Sequence, residues 1–75
     1  MENTRAEKLK DSIDETQDEI NNIQIVVQGL VNLKNSSNDY EIKSDLQQLI
    51  NSFDNKIKFL EDLRQDDENV LNQFL

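Results

Sequence analysis

Apolar residues recur along the first part of the chain at alternating steps of three and four. Ala6, Leu9, Ile13, Thr16, Ile20, Ile23, Val27 and Leu30 follow this spacing, and only Thr16 among them is polar. Side chains spaced this way lie along one stripe of an α-helix, at the a and d positions of a heptad repeat. The pattern predicts a helix over about 4–34. Asn3 or Thr4 is suited to cap its start, and Thr4 with Glu7 has the spacing of a capping box. Between Ile23 and Leu33 the stripe widens to take in Ile25, Val26, Val31 and Leu33, more than one facing helix can cover. Ile23, Ile25 and Val27 also alternate in the manner of a strand, but the heptad runs on through them without a slip. Gly29 lies inside this stretch, where glycine weakens a helix by roughly 1 kcal/mol relative to alanine. Either a close helix approach or a kink would account for it.

Lys34-Asn35-Ser36-Ser37-Asn38-Asp39 breaks the pattern. Side chains of this type bond to nearby backbone and compete with helix. The segment 34–39 therefore reads as a turn, with Asn38 as the cap of the next helix and Glu41 completing its capping box. So short a connection implies antiparallel neighbours. A second stripe follows, carrying Ile42, Leu46, Leu49, Ile50, Phe53, Ile57, Leu60 and Leu63, and predicts a helix over about 39–65. Then Gln65-Asp66-Asp67-Glu68-Asn69 places Asp67 on the seam. A carboxylate buried there without a partner is costly, so the helix is expected to fray, leave the core or restart at Asp66. Val70, Leu71, Phe74 and Leu75 form a short C-terminal apolar segment within 66–75.

The expected fold is thus a single all-α domain over 1–75. It is an antiparallel helical hairpin with a short C-terminal apolar segment, paired into a four-helix bundle or coiled coil. The expected helix–helix interface comprises Leu9, Ile13, Ile20, Ile23, Val27 and Leu30 on the first helix. On the second it comprises Ile42, Leu46, Leu49, Phe53, Ile57, Leu60 and Leu63.

Size explains why pairing enters the expectation. The chain has 75 residues, of which 35% are hydrophobic, and ordering a chain of that length costs on the order of 110 kcal/mol. Small domains offset such a cost with disulfides, metals or association. There is no Cys and no His, which removes a disulfide framework, a thiolate nucleophile and the usual zinc ligands. It also removes the side chain most used for proton transfer near neutral pH. Ser12, Ser36, Ser37, Ser44, Ser52 and Tyr40 have no base of the usual kind to activate them. No catalytic site, cofactor or metal site is expected.

Charge narrows the partners. Sixteen acidic residues against eight basic ones give a net charge of −8, which disfavours nucleic acid and anionic membrane surfaces. The longest apolar run, Ile25-Val26-Val27, is too short for a membrane span or a signal peptide, and a cytoplasmic location is expected. Glu7, Asp11, Asp14 and Asp18 fall at steps of three and four on the first helix. They form a candidate acidic partner face or, more simply, a solvated one. No tight turn with a glycine bend accompanies them, as calcium sites in a single chain usually require.

The hairpin plan is similar to that of small secreted helical hairpins of the WXG class and of very short coiled-coil subunits of multi-protein assemblies. The Trp-x-Gly turn of the former is absent, the turn here reading Asn35-Ser36-Ser37-Asn38, and no family follows from the plan. The function expected from these features is a non-enzymatic protein–protein interaction module: an oligomerising scaffold, adaptor or assembly subunit, as a homodimer or hetero-oligomer. A small acidic inhibitor, of viral or mobile-element type, that blocks a basic enzyme or DNA-binding surface is the alternative. A further alternative is a chaperone or co-folded partner of a longer helical protein. Replacing Leu49 or Phe53 by Asp is expected to abolish association and helicity together.

Overall fold

The computed structural model describes residues 4–74, and two helices of 33 residues account for nearly all of them: α1 (Thr4–Ser36) and α2 (Tyr40–Asn72). Among the described residues there is no strand. The chain is an all-α antiparallel hairpin. The possible capping residue Asn3 lies outside the described residues, as do the side chain of Thr4 and the whole of Leu75.

The turn is tighter than the sequence suggests. Ser36 ends α1, its hydroxyl donating back to the Asn32 carbonyl at 2.9 Å. The cap of α2 is Asp39 rather than Asn38. Its backbone is extended (φ −91°, ψ 120°), and its carboxylate accepts from the Glu41 and Ile42 amides at 2.9 and 3.2 Å. A carboxylate serves better here than an amide, since its charge also opposes the positive end of the helix dipole. Ser37 accepts from the Asp39 amide at 3.1 Å, so three residues suffice to reverse the chain.

Ile23, Ile25 and Val27 are helical, and the alternating β reading is not adopted. Gly29 lies in the middle of unbroken helix. A methyl group added to it would meet nothing within 4 Å, so no packed helix explains this glycine.

The expected break at Asp66 does not occur. α2 continues to Asn72, and residues 66–72 are its last turns rather than a separate segment. The reason is a partner for the seam carboxylate: Ser12 Oγ donates to Asp67 Oδ2 at 3.0 Å. One turn earlier Arg64 also occupies the seam, and its guanidinium donates to the Gln17 side-chain oxygen. Near the turn Lys34 donates to Gln47. Arg5 stacks over the Phe74 ring, 5.7 Å from its centre, and closes the open end. These contacts set one register along the whole hairpin, with Ile20 level with Leu60 and Leu30 level with Ile50.

The product is a rod. Its Cα extents are 59 × 14 × 12 Å and its radius of gyration is 17.1 Å, against about 11 Å for a compact domain of this length. Among the described residues the buried core is Ala6, Ile20, Ile50 and Leu60. The outer faces carry amide pairs one turn apart: Gln17–Asn21, Gln28–Asn32, Gln47–Asn51 and Gln65–Asn69, each with the glutamine donating. Such pairs support a helix and offset the poor intrinsic helix preference of asparagine.

Candidate interaction surface

Positions seven residues apart form rows along each helix of a hairpin. On α1 the seam is built from the Ala6-Ile13-Ile20-Val27 and Leu9-Thr16-Ile23-Leu30 rows, all buried or half-buried. On α2 it is built from the Leu46-Phe53-Leu60-Asp67 and Ile50-Ile57-Arg64-Leu71 rows, likewise buried or half-buried. Leu9, Ile13, Ile20, Ile23, Val27, Leu30, Leu46, Phe53, Ile57 and Leu60 thus lie between the two helices.

Ile42, Leu49 and Leu63 do not. They are 50%, 48% and 41% exposed, and Ile50 takes the seam place the spacing assigned to Leu49. The physical reason lies further along α2. A seam through Ile50 keeps an unbroken four–three repeat from Leu46 to Leu71, at the cost of accepting Arg64 and Asp67. Both of those find hydrogen-bond partners on α1.

Ile42, Leu49 and Leu63 instead belong to a row, completed by Lys56 and Val70, that runs beside the seam. It lies on the edge where Asp67 receives Ser12. The α1 row on that same edge is Arg5-Ser12-Glu19-Val26-Leu33, in which Val26 and Leu33 are exposed. Phe59, 58% exposed, comes from the next row out. The opposite edge, where Gln17 meets Arg64 and Lys34 meets Gln47, carries Lys10, Gln24, Asp54, Glu61 and Glu68, with Val31 and the exposed Tyr40 toward the turn. The first edge is therefore the richer in apolar side chains, and the opposite edge is polar except near the turn.

Charge is divided along the other axis. Twelve of the 16 acidic residues and four of the eight basic ones fall in 1–19 and 60–75, so the open half of the sequence carries the whole net charge of −8. Residues 20–59 hold four of each sign and are neutral. Most of the exposed large apolar side chains, including Ile25 and Tyr40, lie in this neutral half.

Glu7, Asp11, Asp14 and Asp18 are all exposed on α1, in rows outside the seam. Among the described residues no group of three or more acidic side chains is arranged to hold a metal ion. Two open grooves flank the rod. One, of about 420 Å³, lies at the open end between Lys10, Ile13, Asp14, Gln65, Glu68 and Leu71. The other, of about 330 Å³, lies at the turn between Lys34, Tyr40, Lys43, Ser44 and Gln47.

Among the described residues no helix is long and apolar enough to cross a membrane. No family model, curated protein or solved structure matches this chain.

Proposed function

We propose that this chain is a non-enzymatic interaction module that works by laying its apolar edge against a helical protein surface. The observation that supports this reading is the row Ile42, Leu49 and Leu63, left outside the seam and joined by Val26, Leu33 and Phe59 on the same edge. Scattered exposed apolar residues are ordinary on protein surfaces, whereas several aligned along one edge, here interrupted by Lys56, point to an interaction site. Both helices stand complete without the strip, so its use lies outside the hairpin. A scaffold, an adaptor and an assembly subunit share this surface.

The second reading, an acidic inhibitor of a basic protein surface, is favoured by the concentration of charge at the open end. The exposed carboxylates Glu7, Asp11, Asp14 and Asp18 would carry it. One experiment separates the two. A photo-crosslinking amino acid is placed at Leu49 in one variant and at Asp11 in another, and each is expressed in the native cell. The interaction module forms covalent protein adducts at position 49 and none at 11. The inhibitor forms them at position 11, with a yield that falls as salt rises. Absence of any adduct at position 49 would refute the first reading.

A further inference from the structure

We propose that the groove at the open end of the hairpin binds a small aliphatic amine, a ligand that joins an ammonium head to an apolar stem. The groove lies on the edge away from Ile42, Leu49 and Leu63 and at the acidic end of the rod. It therefore stands or falls independently of the interaction edge.

Each helix supplies one wall. Lys10 and Asp14, one turn apart on α1, line one side, Gln65 and Glu68 on α2 line the other, and the space between holds about 420 Å³. That volume falls within the roughly 300–1,000 Å³ usual for small-molecule sites. Ile13 and Leu71 also line the groove. Both belong to seam rows and are half-buried, so the floor between the walls is apolar. A methylene stem can lie along such a floor while its charged head stays among polar groups, as lysine side chains do on protein surfaces.

The sign of the head follows from the walls. Two carboxylates and one ammonium leave the lining with a net charge of −1, inside the half of the sequence that carries the whole −8. A cleft set in a field of one sign gathers counter-ions. Glu68 is half-buried, where a carboxylate without a donor is costly. Its neighbour Asp67 receives Ser12, and the Gln65 amide donates to Asn69, but among the described residues no donor reaches Glu68 or Asp14. An alkylammonium in the groove supplies charge-assisted donors to these oxygens.

A bare metal ion fits less well. Hard divalent cations take about six or more oxygen ligands, and among the described residues no group of three or more acidic side chains is placed to hold one. A metal ion also gains nothing from Ile13 and Leu71, whereas an alkyl stem gains about 25 cal/mol for each Å² of apolar surface it covers.

Calorimetric titration with putrescine and with Mg²⁺, two cations of equal charge, is the direct test, with amide NMR shifts to locate them. Putrescine is expected to bind saturably, with shifts gathered at residues 10–14 and 65–71, and about tenfold or more tightly than Mg²⁺. Asp14→Asn combined with Glu68→Gln is expected to weaken putrescine roughly 10- to 100-fold. Asp14→Asn alone, at an exposed position, is expected to give part of that loss with the helices intact by circular dichroism. Asp11→Asn combined with Asp18→Asn makes the same change of charge outside the groove and is expected to weaken binding less than about threefold. Absence of saturable binding overturns the proposal. So does equal weakening by the two double variants, or Mg²⁺ bound as tightly as putrescine at the same residues, since each describes a diffuse counter-ion cloud rather than a site.

Discussion

Asp67 is where local chemistry overrides pattern. Its place on the seam argues for a broken helix, yet a single hydroxyl, Ser12, supplies the partner that lets α2 run on to Asn72. The expected consequence is asymmetric. Ser12→Ala leaves a half-buried carboxylate without that donor and lowers stability by about 1–3 kcal/mol, whereas Asp67→Leu, which removes the need for a partner, is close to neutral or stabilising. Urea unfolding of the two variants checks both signs. Gly29 gives the opposite case, a residue whose cost nothing within the chain offsets. Gly29→Ala is expected to raise stability by about 1 kcal/mol, read from thermal melts at a concentration where the chain is monomeric. In both instances the deciding fact is the presence of a neighbour 55 residues away or its absence across open space, which spacing along the chain does not encode.

At the scale of the helices, the hairpin and the α1 seam were legible because the four–three repeat of α1 is unbroken from Ala6 to Leu30. The turn was legible from its Asn, Ser and Asp content, and missed by one residue at the cap, because Asn38 and Asp39 are both good capping types. The seam of α2 was not legible in full. Ile50 and Leu49 are adjacent and equally apolar, and preferring apolar residues at each step leads through Leu49 and Leu63. The actual register accepts Arg64 and Asp67 because Gln17 and Ser12 answer them, a condition visible only once α1 is set alongside. The Gln-x-x-x-Asn pairs were open to reading: the spacing occurs four times, and each occurrence forms a bond. The shifted register separates two substitutions that the sequence treats alike. Phe53→Asp, in the seam, is expected to lose helicity and association together, while Leu49→Asp keeps a helical spectrum and loses association alone. Circular dichroism beside sedimentation distinguishes them.

The molecule as a whole is a rod polarised in two directions, apolar against polar across its width and neutral against acidic along its length. The open half holds the net charge of −8 and the three polar seam residues Thr16, Arg64 and Asp67, so it is expected to be the less stable half. Amide hydrogen exchange should be faster over 5–19 and 60–72 than over 20–35 and 46–59. Added salt should slow the open half more than the turn half, since it screens carboxylate repulsion over distances beyond about 8 Å. Equal protection of the two halves at low salt would contradict that picture.

The three-residue turn has a consequence beyond reversing the chain. If Ser37-Asn38-Asp39 became helical and the hairpin straightened, two opened chains could exchange halves and pair along their full length, the usual route to domain swapping. Their stripes would not line up. Continued past Leu30, the α1 repeat passes through 34, 37, 41, 44, 48 and 51, whereas the α2 seam occupies 46, 50 and 53. The two stripes therefore emerge on nearly opposite sides of a straight helix, which no single straight partner can cover. The turn thus holds the two repeats out of phase and guards the hairpin against exchange. Deleting two of its three residues would bring 46, 50 and 53 into the phase of α1 and leave too little chain to turn. The shortened protein is expected to abandon the hairpin for one continuous helix, roughly 100 Å long, paired side by side with its own copies and recognisable in small-angle scattering by its length alone.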